Sequence, residues 1–96
     1  MRKLYLGDHV KIDAIRDALR MARRKGDLPN ISEIDIEHFL ESFNEVVEKS
    51  PEVGSHVTRS EMEKLFRRLK NDKGDKIVDS ELETIGKILL NDDYEF

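Results

Sequence analysis

The stretch SEIDIEHFLESFNEVVEK, residues 32–49, carries the widest apolar face of this 96-residue chain. Its apolar side chains recur three and four positions apart, the spacing of one helical face: Ile36, Phe39, Leu40, Phe43, Val46 and Val47. Ser50-Pro51 follows, and a residue that precedes proline is disfavoured in a helix. The pattern therefore predicts a helix that begins at Ser32 or Ile34 and ends at Lys49.

Three further helices are predicted around this one. Their candidate starting positions are, in chain order, Asp8, then Thr58 or Ser60, then Asp79 or Ser80. Thr58, Ser60 and Ser80 each have glutamate three residues on, which is the capping-box spacing. The first helix is expected to end at Lys25, before Gly26. Each helix carries an apolar stripe: Ile12, Ile15, Leu19 and Ala22 in the first, Met62, Leu65, Phe66 and Leu69 in the third, and Leu82, Ile85, Ile88 and Leu89 in the fourth.

No stretch alternates with period two for long enough to predict a sheet, and Lys76-Ile77-Val78 is only a short extended candidate. Helices this short and polar are marginal alone, so their apolar faces must pack on one another. We therefore predict one all-α domain over residues 1–96, built from four short helices as two helix-loop-helix halves. Residues 1–7 would form an N-terminal arm, residues 50–57 a linker between the halves, and residues 92–96 a frayed tail.

Composition excludes several classes of protein. The chain carries 17 Lys+Arg against 21 Asp+Glu, a net charge of −4, and is 40% charged. No apolar run approaches the roughly 20 residues of a membrane span, and the N-terminal apolar run is too short for a secretory signal. The absence of cysteine excludes disulfides, thiolate catalysis and iron–sulfur clusters. A cytoplasmic domain without membrane contact is expected.

The second half of the chain resembles an EF-hand. EMEKLFRRL, residues 61–69, is similar to the incoming helix of the family, and KNDKGDKIVDSE, residues 70–81, to its twelve-residue loop. In this frame Ile77 takes loop position 8, where two hands pair, and Ile31 takes the same place in a similar frame in the first half. The resemblance implies a pair of EF-hand-like halves. Another small helical bundle is the alternative.

The calcium ligands of that family are largely missing. The loop needs oxygen ligands at positions 1, 3, 5, 7, 9 and 12 and glycine at position 6. Here Lys70 stands at position 1 and Gly74 at position 5, so the residual loop carboxylates are Asp72 and Glu81. We therefore expect no metal site. In this family, hands that have lost their ligands serve as protein-binding modules, which hold a helix in the groove between the hands.

Charged side chains form stripes on the predicted helices. The first helix carries a basic stripe, Arg16, Arg20 and Arg23, and the third a basic face, Lys64, Arg67 and Arg68. The second carries an acidic stripe, Glu37, Glu41, Glu45 and Glu48. Such stripes are either solvated faces or docking sites for partners of opposite charge.

Enzyme chemistry has little support in this sequence. The five glycines are scattered, so no phosphate-binding loop is present, and the histidines, His9, His38 and His56, are far apart. No Glu-x-x-His pair of a di-metal bundle occurs. We expect neither catalysis nor a cofactor.

The sequence therefore predicts a non-catalytic protein–protein interaction module. It would bind a protein partner through an apolar groove between helices or through the basic stripe of the first helix. The predicted partner-binding residues are Arg16, Arg20, Arg23, Phe39, Phe43 and Phe66. The alternative is a small nucleic-acid-associated regulator that contacts DNA with its basic helix faces, or presents the glutamates of the second helix as a phosphate mimic. The net negative charge and the lack of aromatics among the arginines oppose this alternative.

Overall fold

The computed structural model describes residues 1–71 and 79–96, which form four helices and one three-stranded antiparallel sheet. In chain order the elements are β1 (His9–Lys11), α1 (Ile12–Arg24), α2 (Glu33–Glu41), β2 (Glu48–Ser50), β3 (Gly54–Thr58), α3 (Arg59–Asn71) and α4 (Asp79–Leu89). The strand order is β1-β3-β2. The fold is mixed α and β, so the prediction of an all-α helical bundle is wrong.

The sheet lies where the sequence predicted a linker. Residues 50–57 contain the end of β2 and most of β3, and β3 pairs with both other strands. Gly54, at φ +81°, closes the turn that joins β2 to β3. Pairing satisfies the backbone N–H and C=O groups that a linker would leave to water. The strands are only three to five residues long, too short to show the alternation by which strands are recognised.

The second helix ends at Glu41 instead of Lys49. Ser42 Oγ donates a hydrogen bond to the Phe39 carbonyl at 2.6 Å, and the backbone then tightens into successive turns. In these turns Asn44 N donates to Glu41 O at 3.0 Å. Phe43 remains buried although it is no longer helical. The apolar spacing therefore continued past the true end of the helix.

The first helix begins at Ile12, because residues 9–11 are taken by β1, and so Asp8 is not its N-cap. It ends at Arg24, one residue before the predicted end at Lys25. Gly26, at φ +88°, donates to Arg23 O, and Asp27 N donates to Ala22 O, which together form a Schellman motif.

The starts of the other helices agree with their capping residues. Ser32 and Asp35 exchange the two hydrogen bonds of a capping box at α2. Thr58 Oγ1 accepts a hydrogen bond from Glu61 N at 3.2 Å, and α3 begins directly after it. α4 is described from Asp79, and the residues that precede it lie outside the described part of the chain, so its predicted start stays a prediction. The extended candidate Lys76-Ile77-Val78 lies outside the described residues.

The two ends of the chain pair with each other. Arg2 N donates to Phe96 O at 2.7 Å, and Leu4 N donates to Tyr94 O at 3.0 Å. Leu4 and Tyr5 are buried in the core. The predicted N-terminal arm over residues 1–7 therefore pairs with residues 92–96, which were predicted to be a frayed tail, and burial of these apolar side chains holds both segments in place.

The core contains residues from both the sheet and the helices. Val10 of β1 and Val57 of β3 are paired neighbours and fully buried, and α1 and α3 both contact β3. In the described part of the chain, no helix is long and apolar enough to cross a membrane.

Candidate partner-binding site

Arg16, the first member of the predicted basic stripe, is bound by two carboxylates of its own chain. Its Nε donates to Glu37 Oε1 at 2.8 Å and its Nη2 to Glu37 Oε2 at 3.3 Å. Its Nη1 donates to Asp13 Oδ1 at 2.8 Å. The paired hydrogen bonds lower the pKa of the Glu37 carboxyl and raise the pKa of the Arg16 guanidinium. A two-point contact of this kind fixes α1 against α2.

Arg20 and Arg23 share one carboxylate of α2. Arg20 Nε lies 2.9 Å from Glu33 Oε2, and Arg23 Nη1 lies 3.2 Å from Glu33 Oε1. All three arginines of the predicted stripe therefore have partners within the chain. An acidic ligand would have to displace those partners before it reached the guanidinium groups.

The predicted acidic stripe is not one surface. Glu37 is held by Arg16, and the helix ends at Glu41, so Glu45 lies beyond it. Glu48 belongs to β2, where its Oε2 lies 3.4 Å from Nε2 of His56. The four glutamates that were predicted to form a stripe therefore do not lie on one helix.

The three predicted phenylalanines lie in the core. Phe39, Phe43 and Phe66 are 4%, 0% and 2% exposed. The ring of Phe39 stands edge-on to Phe43 at 5.5 Å and tilted against Phe66 at 6.0 Å. They attach α2 to α3, and none presents a ring face to a partner.

Phe66 does contribute to the floor of a groove between α3 and α4, which we call the α3–α4 groove. Two adjacent hollows of about 360 and 250 Å³ share Phe66, Lys70 and Leu90. Leu82 and Gly86 of α4 complete the floor. The floor is therefore apolar and lies between two helices.

Gly86 keeps this floor open. It lies within α4, where glycine is a poor helix former, so its presence costs stability. A Cβ built there would meet the Phe66 ring at 3.6 Å and 3.7 Å, with no other close neighbour. The missing side chain thus makes the groove deeper at the point where α4 passes the Phe66 ring.

The rim of the α3–α4 groove has an excess of positive charge. Its ionisable residues are Arg59, Glu63, Arg67, Lys70, Glu83 and Lys87. Arg59 is held by Asp92, at 2.6 Å, and by Glu63. Lys87 Nζ lies 4.0 Å from Glu83, with both side chains exposed. Among the described residues, the exposed side chains of Arg67 and Lys70 form no ion pair.

A second groove lies between α1, α2 and the β2 end of the sheet; we call it the α1–α2–β2 groove. It has a volume of about 490 Å³ and is lined by Ile12, Arg16, Glu37, Leu40, Glu41, Asn44, Val47, Lys49 and Ser55. Two of its four charged residues, Arg16 and Glu37, bind each other. The other two, Glu41 and Lys49, have opposite signs. This groove therefore favours neither an acidic nor a basic ligand.

Metal-ligating side chains do not converge anywhere in the part of the chain that is described. Glu81, one of the two residual EF-hand carboxylates, is buried, and its Oε2 accepts a hydrogen bond from Asn30 N at 3.3 Å. The other, Asp72, lies outside the described residues, as do Gly74 and Ile77. The EF-hand frame therefore stays a prediction.

Sequence reasoning named Phe66 and Arg67 but missed Lys70, Gly86 and Leu90 as parts of one groove. The signal in the sequence was Gly86, which lies within the fourth predicted helix. Glycine destabilises a helix interior, so its presence there indicates a packing or functional reason. No protein-family model matches this chain, and neither a curated protein nor a solved structure matches it.

Proposed function

We propose that this chain is a non-catalytic protein-binding module that holds a segment of its partner in the α3–α4 groove. The observation that carries the proposal is an apolar floor between two helices, bordered by the cations of Arg67 and Lys70. Apolar burial supplies affinity in such grooves, and rim charges select the partner.

The basic stripe of α1 supports this function less well. Its three arginines already bind Glu37 and Glu33, so their charges are neutralised within the chain. Replacing those ion pairs with equivalent ones to a partner gains little, because exposed pairs are individually weak. The α3–α4 groove has no such internal competitor for Arg67 and Lys70 among the described residues.

Nucleic-acid binding is the second candidate, and the basic face of α3 favours it. Lys64, Arg67, Arg68 and Lys70 are all exposed on this one helix. The protein carries a net charge of −4, however, and Phe66 is too buried to stack on a base. An apolar floor between the cations suits a protein segment better than a phosphate backbone.

Selection of peptides from a random display library tests the proposal. The library should offer both helical and extended segments of about 14 residues, the length of four helical turns, without bias in charge. We expect enriched peptides to lose at least about tenfold in affinity for the variant Gly86→Leu, because the new side chain fills the groove at Gly86.

The matched control is Asn44→Leu, which adds a leucine to the α1–α2–β2 groove at an exposed position. Affinity for this variant should be unchanged. The proposal is overturned if no peptide is enriched, or if the enriched peptides bind a folded Gly86→Leu variant as well as they bind the unmodified chain.

A further inference from the structure

We infer that the occupant of the α3–α4 groove is an acidic amphipathic helix of a partner protein, an inference that rests on the proposed function. Three properties of the groove specify this occupant: its length, the state of the backbone along its walls, and the sign of its rim charge.

The length of the groove fits about three turns of helix. Its α3 wall runs from Arg59 to Lys70, and at 1.5 Å rise per residue this distance is about 16 Å. Its α4 side runs from Leu82 to Leu90, about 12 Å. A segment of about 11 helical residues therefore spans the groove.

The walls favour a helix over an extended segment. Both walls are helical over most of their length, so their backbone groups are largely bonded within α3 and α4 and offer no strand edge. An extended segment entering an apolar groove would leave its own N–H and C=O groups unpaired, which is costly. A helix satisfies those groups internally and presents side chains at i, i+3, i+4 and i+7 to the partly exposed floor at Gly86 and Leu90.

The rim selects acidic side chains on the flanks of that helix. Arg67 and Lys70 lie on the α3 side, and Lys87 lies on the α4 side, where its contact with Glu83 is long and exposed. Cations thus stand on both sides of the apolar floor, and the excess of positive charge lies on the α3 side, because Glu83 offsets Lys87 on the α4 side. A helix with an apolar stripe between two acidic edges complements this pattern.

The acidic tail of this chain is not the occupant. Asp92 binds Arg59 at one end of the groove, but the residues after it turn away to the N-terminal segment. Glu95 is paired with Lys3, and Phe96 lies under the guanidinium of Arg2. The described tail therefore does not cover the groove.

Three synthetic helical peptides test the inference directly. They share one leucine stripe and are about 15 residues long, and they differ only in carrying Glu, Gln or Lys at the flanking positions. At about 0.02 M salt we expect the Glu peptide to bind at least about tenfold more tightly than the Gln peptide, and the Lys peptide to bind most weakly. The advantage of the Glu peptide should shrink as salt is raised.

Two neighbouring residues provide the matched variants. Arg67→Glu and Arg68→Glu make the same change in net charge on the same helix, but only Arg67 lines the α3–α4 groove, whereas Arg68 lines a hollow beside Val46 and Leu65. Affinity for the Glu peptide should fall about tenfold with Arg67→Glu and less than about threefold with Arg68→Glu at physiological salt. Equal losses would mean that only net charge matters and would overturn the inference.

The failures are distinguishable. Equal affinity of the Glu and Gln peptides would overturn the acidic partner while leaving the proposed protein-binding groove intact. If none of the peptides binds and the display selection also fails, both proposals fall. Binding of a short DNA duplex in competition with the Glu peptide, with a steep salt dependence, would assign the groove to nucleic acid and overturn the inference as well.

Discussion

Tyr5 links the N-terminal segment to the end of α4 through one hydrogen bond. Its hydroxyl donates to the Leu89 carbonyl at 2.6 Å, and its ring lies 6.0 Å from the Arg59 guanidinium carbon. Burial raises the pKa of the phenol to about 12. The folded chain therefore holds this group neutral at a pH at which an unfolded tyrosine would ionise.

Replacing Tyr5 with phenylalanine should lower the free energy of unfolding at neutral pH by about 1 kcal/mol, because the Leu89 carbonyl loses its partner. The raised pKa also has a consequence at alkaline pH. The stability that it contributes is present below the ordinary pKa of 10.0 and is lost as the pH rises toward about 12. Urea unfolding at several pH values should therefore show a shallower alkaline loss for Tyr5→Phe.

The control for this variant is Tyr94→Phe, because burial raises the pKa of Tyr94 as well. In Tyr94→Phe, Tyr5 is still present, so the fall in the free energy of unfolding that its ionisation causes at alkaline pH should remain. Identical alkaline profiles for the unmodified chain and Tyr5→Phe would contradict the assigned role of Tyr5.

Glu37 predicts an effect at acidic pH. Arg16 holds the pKa of this carboxyl below its ordinary value of 4.5, so the pair stabilises the fold above that value and the contribution is lost as the pH falls. The variant Glu37→Gln should be less stable than the unmodified chain at pH 7, and the difference should shrink in acid. Thermal unfolding of both proteins at pH 7 and at acidic pH measures this difference in stability.

Glu41→Gln is the matched control, since Glu41 is exposed on the same helix and has no ion pair among the described residues. Its stability should follow that of the unmodified chain at both pH values. A Glu37→Gln variant that behaves like this control would show that the Arg16–Glu37 contact contributes nothing measurable.

At the scale of elements, the helices were more predictable than the strands. The residues that begin and end helices carry local chemistry, as the Thr58 cap and the Gly26 terminus show. β3, by contrast, is defined by partners on both sides, and its short sequence Gly54–Thr58 shows no alternation long enough to recognise. The stretch 32–49 misled most, because the turns after Glu41 keep Phe43 buried just as a helix would.

The same difference explains what the sequence revealed of the site. Arg16, Arg20 and Arg23 do form one stripe, as predicted, but nothing in the spacing indicated that Glu33 and Glu37 would bind them. Ion pairing between two helices depends on how the helices pack. The α3–α4 groove was not predicted for the same reason, because its shape depends on how these two consecutive helices pack.

Gly86 predicts opposite effects on stability and binding. Gly86→Ala should raise the free energy of unfolding by about 1 kcal/mol, since alanine favours the helix and its Cβ only touches the Phe66 ring. The melting temperature should rise by about 4–8 °C. Affinity for a groove-bound peptide should fall, because the floor becomes shallower. A variant that is both more stable and equally tight in binding would show that the open floor is not used.

At the scale of the whole molecule, the two ends of the chain close the fold. Removal of residues 92–96 would eliminate the backbone hydrogen bonds of Phe96 to Arg2 and of Tyr94 to Leu4, and the Arg59–Asp92 ion pair. We expect the free energy of unfolding to fall by at least about 2 kcal/mol. Calorimetry would show this as a fall of about 10 °C in the melting temperature.

A double variant, Asp93→Asn with Glu95→Gln, keeps the length of the tail and its backbone bonds while it removes two charges. Its melting temperature should stay close to that of the unmodified chain. If the truncated protein melts at the same temperature as this control, the tail is frayed in solution and the paired closure is wrong.

Charge is also distributed over the whole molecule in a way that favours one binding surface. The arginines of α1 are neutralised by α2, whereas Arg67 and Lys70 of α3 face solvent in a protein whose net charge is −4. We therefore expect acidic segments to be attracted to this rim more than to the neutralised arginines of α1.

Amide-resolved NMR of the labelled protein, titrated with the acidic amphipathic peptide, tests this account most directly. We expect shifts that cluster on the groove, at Phe66, Lys70, Gly86 and Leu90, while the amides of α1 and α2 stay in place. Shifts centred instead on Arg16, Arg20 and Arg23 or on the α1–α2–β2 groove, or no shifts at all, would contradict the account.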